Sequence, residues 1–175
     1  MESENEGSAK TPFKVGILTL SDRSARGERI DTSGPKLREL LTEQLKVAFV
    51  VTAYEVIPDE RHLIEAKLRS WSDDLHLNLI LTTGGTGVAP RDVTPEATLA
   101  VIEKQVPGMA EAMRAYSLQK TPMAVISRAV VGIRGSTLIV NLPGSPKGAT
   151  ESLEAIIRAL PHAVEKILGD PTDCA

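Results

Sequence analysis

Gly84-Gly85-Thr86-Gly87 stands directly behind the apolar run 78–83, with Asp92 closing the same loop. Glycines at this density let a backbone take positive φ and pass close to a ligand. Such a backbone can aim several N–H groups at one anion, and Thr82, Thr83 and Thr86 add hydroxyls. The pattern is neither a GxGxxG fingerprint nor a GxxxxGK[ST] loop. A tight structural turn explains the glycines equally well. Asp92 adds chemistry, because a carboxylate beside a phosphate needs a cation between them. Mg²⁺ takes oxygen ligands and bridges carboxylates to phosphates. Arg91 can pair with a phosphate oxygen. A cap or a salt bridge to Arg91 is the alternative for Asp92.

Other polar clusters flank apolar runs in the same way. Asp59 follows Ile57-Pro58 and is either a helix cap or a second carboxylate able to share a metal or act as a base. Ser21 and Asp22 follow the run 14–20. Ser33 and Gly34 stand before Pro35, where they either cap a helix or present N–H groups and a hydroxyl to an anion. Asn141-Leu142-Pro143-Gly144-Ser145-Pro146 is a rigid loop suited to clamping a planar base or to a plain turn. His62, His76 and His162 show no ligand spacing and read as surface or packing residues.

The elements that hold these clusters are legible from periodicity. Residues 14–20, 48–57 and 78–83 read as strands, with Pro58 ending the second. Residues 21–34 read as a long loop. Leu37, Leu40, Leu41 and Leu45 mark a helix, as do Ile64, Leu68, Trp71 and Leu75 behind Asp59. Thr94 reads as the cap of a further helix with Pro95 at its first position. Met109, Ala112, Met113 and Tyr116 share a face of a helix beginning near Gly108. Residues 128–133 and 137–142 form a hairpin around Arg134, Gly135 and Ser136. Leu153, Ile156, Ile157 and Leu160 mark the last helix, kinked or restarted at Pro161. Alternating strand and helix predict right-handed crossovers and a mostly parallel sheet between two helical layers, with an antiparallel edge. The fold class is three-layer α/β/α in one domain over residues 13–168, with 1–12 and 169–175 disordered. The clusters above then fall at the carboxyl ends of strands, where open sheets bind ligands.

Composition narrows the function. With 175 residues, 42% hydrophobic and only 3% aromatic, the chain builds an aliphatic core. A net charge of −3 argues against a dedicated nucleic-acid binder. The polar start and the lack of a run of about 20 apolar residues argue against export or a membrane span. The single cysteine, Cys174, fits a reducing, cytoplasmic setting.

Taken in order, SDR at 21–23, DTSGP at 31–35, IPDE at 57–60, TTGGTG at 82–87, PRDVTPEAT at 90–98, SR at 127–128 and GIRGSTLIVNLPGSP at 132–146 resemble the molybdopterin adenylyltransferase family. That family includes stand-alone bacterial MogA-type proteins and a domain of animal gephyrin, and the resemblance spans roughly residues 13–168. IRGSTLI, with the helix before it, is more similar to the MogA group than to MoaB. The resemblance implies a MoaB/MogA-like fold and Mg²⁺-dependent transfer of AMP from ATP to the terminal phosphate of molybdopterin. It implies catalytic and metal-binding roles for Asp59 and Asp92, and phosphate binding by Gly84, Gly85, Thr86 and Gly87. Asn141, Pro143, Gly144 and Ser145 would line the nucleotide end. Ser21, Asp22, Ser33, Ser127 and Arg128 would reach the pterin or its phosphate. A homotrimer, with hand-over to a molybdate-insertion protein, is also implied. A MoaB-like pterin-binding protein without strong catalysis is the alternative.

Overall fold

The computed structural model describes residues 11–172. Most of the two ends expected to be disordered, including Cys174, lies outside that range. Six strands form one sheet in the order β2-β1-β3-β6-β5-β4. They are β1 (Phe13–Leu20), β2 (Phe49–Ile57), β3 (Leu79–Thr83), β4 (Lys104–Gln105), β5 (Val131–Arg134) and β6 (Thr137–Leu142). The pairs β1–β2, β1–β3 and β3–β6 are parallel, whereas β5–β6 and β4–β5 are antiparallel. This is the expected parallel sheet with an antiparallel edge. Gly135, at φ +53, turns the β5–β6 hairpin.

Side chains alternate across the sheet and feed two cores. Val15 and Ile17 of β1, Leu79 and Leu81 of β3, and Leu138 and Val140 of β6 point to one face. There they meet α2 (Ser33–Gln44), α5 (Pro107–Leu118), α6 (Pro146–Ile156) and α7 (Leu160–Ile167). Leu18, Leu20, Ile80 and Ile139 point to the other face, against α3 (Arg61–Asp73) and α4 (Thr94–Leu99). The three-layer arrangement follows directly, because β3 buries both of its faces.

Several local expectations change. The stretch 21–34 is not all loop, since Ser21 caps a short helix, α1 (Asp22–Ala25), by accepting from the Ser24 N–H. Residues 128–130 lie outside β5. Leu75 is exposed because α3 ends at Asp73 and the chain turns through His76 at φ +51. On α5 the inward residue is Ala110 rather than Ala112. The last helix does break, with Pro161 in the first turn of α7. A 3₁₀ turn over Pro122–Ile126 gives no periodic signal and was not expected. No helix among the described residues is long and apolar enough to cross a membrane.

Candidate active site

Strand order decides where the site forms. From β1 the chain goes to one neighbour, β2, and then crosses to the other, β3. The carboxyl ends of β1 and β3 therefore flank a topological switch point. Residues 84–92 leave β3 there, with residues 143–145, behind β6, alongside.

The glycine loop is pinned from both sides. Gly84, at φ +113, donates its N–H to Leu142 O at 3.1 Å and accepts the Thr94 hydroxyl at 2.9 Å. Thr94 was expected to cap α4. It lies inside that helix and uses its hydroxyl to fasten the loop instead. The Thr83 hydroxyl donates to Pro143 O at 2.6 Å, which ties the two loops together. Asp92 closes a turn, its N–H donating to Ala89 O at 2.9 Å and its Oδ2 accepting the Ala89 N–H at 2.8 Å.

Asp59 is not a helix cap; Glu60 holds that position on α3 without a side-chain bond. Its Oδ2 accepts the Asp22 N–H at 2.9 Å, and Asp22 Oδ1 accepts the Asp59 N–H at 3.1 Å. Arg91 does not stand ready for a phosphate. It reaches across to Asp22 at 2.8 and 3.0 Å and to Glu60 at 2.8 Å. Its guanidinium is the main reason Asp22 titrates below the usual carboxylate range.

Two cavities open beside this loop. One, of about 280 Å³, is lined by Thr19, Ser21, Asp31, Asp59 and Gly84 among others. The second, of about 410 Å³, runs along α5 and α6 past Met113, Ser117, Met123 and Ser127. Gly85, Asp92, Gly144 and Ser145 line both and form the ridge between them. Thr86, Gly87, Pro143 and Ser127 border the second cavity; Ser21, Ser33 and Gly84 border the first.

Three groups expected at the substrates are engaged by the protein itself. Asn141 is fully buried, donating its side-chain amide to Thr82 and Thr98 and accepting the Val130 N–H, so it braces β6 rather than lining a nucleotide. The N-terminus of α2 is already satisfied. Asp31 Oδ1 accepts the N–H groups of Ser33 and Gly34 at 2.9 and 3.3 Å, so a carboxylate already takes the place an anion would have there. The buried Ser33 hydroxyl donates to Gly144 O at 2.8 Å, a structural tie. Arg128 turns its guanidinium to Gly87 O, Asp92 O and the Glu96 carboxylate. Asp31 falls within the DTSGP motif without a role of its own being expected for it, although an Asp two residues before a helix-opening Ser is a turn signal. It also accepts from Thr19 and Tyr54, and burial, with the Asp31 bond next, pushes the Tyr54 hydroxyl up to about 12.

Among the described residues, no cluster of three or more His, Cys, Asp or Glu side chains could enclose a metal. A divalent ion here would take two protein carboxylates at most and fill its shell with phosphate oxygens and water, which suits Mg²⁺. Space at Asp92 depends on glycine, since a Cβ on Gly87 would stand 2.8 Å from Asp92 Oδ2; one on Gly85 would first meet Thr94 Oγ1 at 2.3 Å, with Asp59 Oδ1 next at 3.2 Å. The residues therefore fit the ion.

Burial is the largest influence on Asp59 and pushes its carboxyl above the usual range, with the charges of Asp22 and Asp92 adding to it. A raised folded-state pKa means the ionised form costs stability, and the cost appears as pH rises through that value. Asp59→Asn keeps an acceptor for the Asp22 N–H. Its melting temperature relative to the parent is expected to rise between about pH 4 and pH 7. Thermal melts across that range check this; a variant that falls behind the parent as pH rises contradicts it.

Residues 16–162 match the family described as "Probable molybdopterin binding domain". The molybdopterin adenylyltransferase of Helicobacter pylori strain J99 is 46% identical over 156 residues, 89% of this chain and 88% of that protein. That of Escherichia coli K12 is 46% identical over 144 residues, 82% of this chain and 73% of that protein. Among solved structures, the molybdopterin biosynthesis enzyme MoaB of Thermus thermophilus is 56% identical with a TM-score of 0.84, covering 92% of this chain and 99% of that one. The molybdopterin biosynthesis Mog protein of Mycobacterium ulcerans is 37% identical with a TM-score of 0.83, covering 91% and 99%. The greater similarity to MogA than to MoaB expected from IRGSTLI is not reflected in these two values. With the fold, the motifs and the match in agreement, the chain belongs to the molybdopterin-binding domain family that includes the molybdopterin adenylyltransferases.

Proposed function

We propose that the chain is a molybdopterin adenylyltransferase, an enzyme of molybdenum cofactor biosynthesis. A terminal phosphate oxygen of molybdopterin bonds to the α-phosphorus of ATP, the bond from that phosphorus to the β-phosphate bridging oxygen breaks, and pyrophosphate leaves. The observation that carries this reading is that Gly85, Asp92, Gly144 and Ser145 form a ridge lining two cavities, and we assign one cavity to each substrate. Reacting phosphates meeting over it would face the backbone of the glycine loop. Two anions must approach there, so the work is positioning and charge compensation. Gly85, Thr86 and Gly87 would cradle phosphate oxygens, Gly84 would only fix the turn through its bonds to Leu142 and Thr94, and Ser145 and Gly144 would limit their approach from the other side. Asp92, with Asp59 beyond it, would hold Mg²⁺, which supplies charge neutralisation between the phosphates. Asp59 would also fix the Asp22 segment at the mouth of the smaller cavity. Ser21 and Ser127 would meet the substrates at the outer walls.

Purified protein given ATP, Mg²⁺ and molybdopterin is expected to release one pyrophosphate per adenylylated molybdopterin, and chelation of Mg²⁺ to stop it. Binding of molybdopterin without pyrophosphate release would favour a pterin-binding role instead. A cytoplasmic setting and hand-over of the product to a molybdate-insertion protein belong to the same reading. So does a homotrimer, for which the exposed Val50 and Tyr54 on edge strand β2 offer apolar surface. Sedimentation in dilute buffer is expected to give three times the chain mass; a clean monomer would contradict it.

A further inference from the structure

Arg128 holds the glycine loop at several points at once. Its backbone N–H donates to Thr86 O at 2.9 Å. Nε donates to Gly87 O and Nη2 to Asp92 O, both at 2.7 Å. Nη1 and Nη2 pair with the Glu96 carboxylate in the first turn of α4. A guanidinium has five N–H groups, and these contacts use four of them. Arg128 lines neither of the two cavities flanking the ridge. The strap carrying it is fixed from behind, since Arg114 of α5 donates to Ala129 O at 3.0 Å and Asn141 holds Val130.

A planar trans peptide points its N–H opposite its C=O. With the Thr86 and Gly87 carbonyls turned to Arg128, the N–H groups of Gly87 and Val88 point away from it. Gripping the Asp92 carbonyl fixes the other end of the turn that carries the Asp92 carboxylate. We infer that Arg128 is a positioning residue for the transfer reaction: it draws the loop carbonyls to itself, so that the loop N–H groups and the Asp92 carboxylate face the reacting phosphates. This rests on the adenylyltransferase reading and replaces the expectation that Arg128 touches the pterin or its phosphate. Glu96 is part of the device. Its carboxyl is held below the usual range chiefly by Arg128, and it keeps the guanidinium turned to the loop.

The test compares the parent with Arg128→Gln, Arg128→Lys and Glu96→Gln. Displacing a catalytic group by about 1 Å costs roughly 100-fold in rate, so Arg128→Gln is expected to lose about that factor in kcat/KM. Arg128→Lys should recover part of it, since an ammonium can hold one carbonyl but not the fork. Glu96→Gln should lose about tenfold, by the same displacement argument. In all three the Mg²⁺ concentration for half-maximal rate should rise. Hydrogen exchange should quicken at the amides of residues 86–93 while β1 and β3 stay protected. Glu96→Gln with parental kcat/KM and Mg²⁺ dependence, beside a crippled Arg128→Gln, would mean direct substrate contact and overturn the inference. So would Arg128→Gln that only lowers the melting temperature, with unchanged loop exchange and turnover per folded molecule. A parent that releases no pyrophosphate with molybdopterin would sink the functional reading alone, and the exchange measurement would still decide whether Arg128 holds the loop.

Discussion

Asp92→Asn is expected to lower AMP transfer at least about 100-fold while leaving the fold intact. The substitution is nearly isosteric, and the new amide oxygen can still accept the Ala89 N–H that Asp92 Oδ2 accepts at 2.8 Å. The Asp92 carbonyl keeps its bond to Arg128. Only the charge is lost, on the ridge between the two cavities, where the proposed reaction would bring two phosphate groups together. Asp59 stands on one side of that ridge and does not line the larger cavity, so it cannot substitute. Pyrophosphate release with saturating ATP, Mg²⁺ and molybdopterin measures the loss, and a thermal melt confirms the fold. Turnover near that of the parent would remove Asp92 from the catalytic set.

Gly84→Ala is expected to act on stability and turnover together. Gly84 has φ +113, where L side chains are strained, and a Cβ there would lie 2.2 Å from the carbonyl oxygen of Leu20. That oxygen is a backbone atom at the end of β1, which pairs with β2 through Leu20 and with β3 as far as Thr19, so no rotamer change can relieve the contact. The loop must lift away from β1 and loosen its bonds to Leu142 and Thr94. Strain of this kind costs about 2–4 kcal/mol, or a melting temperature lower by roughly 5–15 °C in a domain of this size. The folded fraction should also lose most of its activity, because the phosphate cradle moves with the backbone. An alanine variant as stable and active as the parent would show that the loop is a replaceable turn.

The sheet and its two cores were legible because hydrophobic periodicity carries them. Leu79, Ile80 and Leu81 read as a doubly buried strand, and Leu37, Leu40 and Leu41 as an inward helical stripe, and both hold. Placing Asp59 and Asp92 on one rim needed only parallel strands, which alternation supplies. What was not legible is direction at the side-chain level. Asp59 looked like a cap and instead accepts from Asp22, thirty-seven residues away in the chain. Ser33 and Gly34 looked like an anion site, yet Asp31 fills it from within. Arg91 and Arg128 looked like phosphate ligands, and both are occupied by carboxylates and carbonyls brought in by the fold. A basic residue beside a phosphate motif does not declare its partner until topology has supplied the competitors. The 3₁₀ turn Pro122–Ile126, whose Met123 and Ile126 wall the larger cavity, has no period to read.

The ridge shared by the two cavities has a consequence for what happens after the reaction. If each cavity takes one substrate, the product is the two held portions joined through a phosphate, straddling Gly85, Asp92, Gly144 and Ser145. A joined molecule gains from both compartments at once, because release from one leaves it tethered in the other at high effective concentration. Pyrophosphate would have no such second hold and would depart first. The adenylylated pterin would then be the slower species to dissociate, and the protein would spend part of its cycle as a carrier of its own product. Product release would then contribute to the turnover time alongside chemistry, and a downstream acceptor that peels the product from one cavity would raise the rate without touching the reacting atoms.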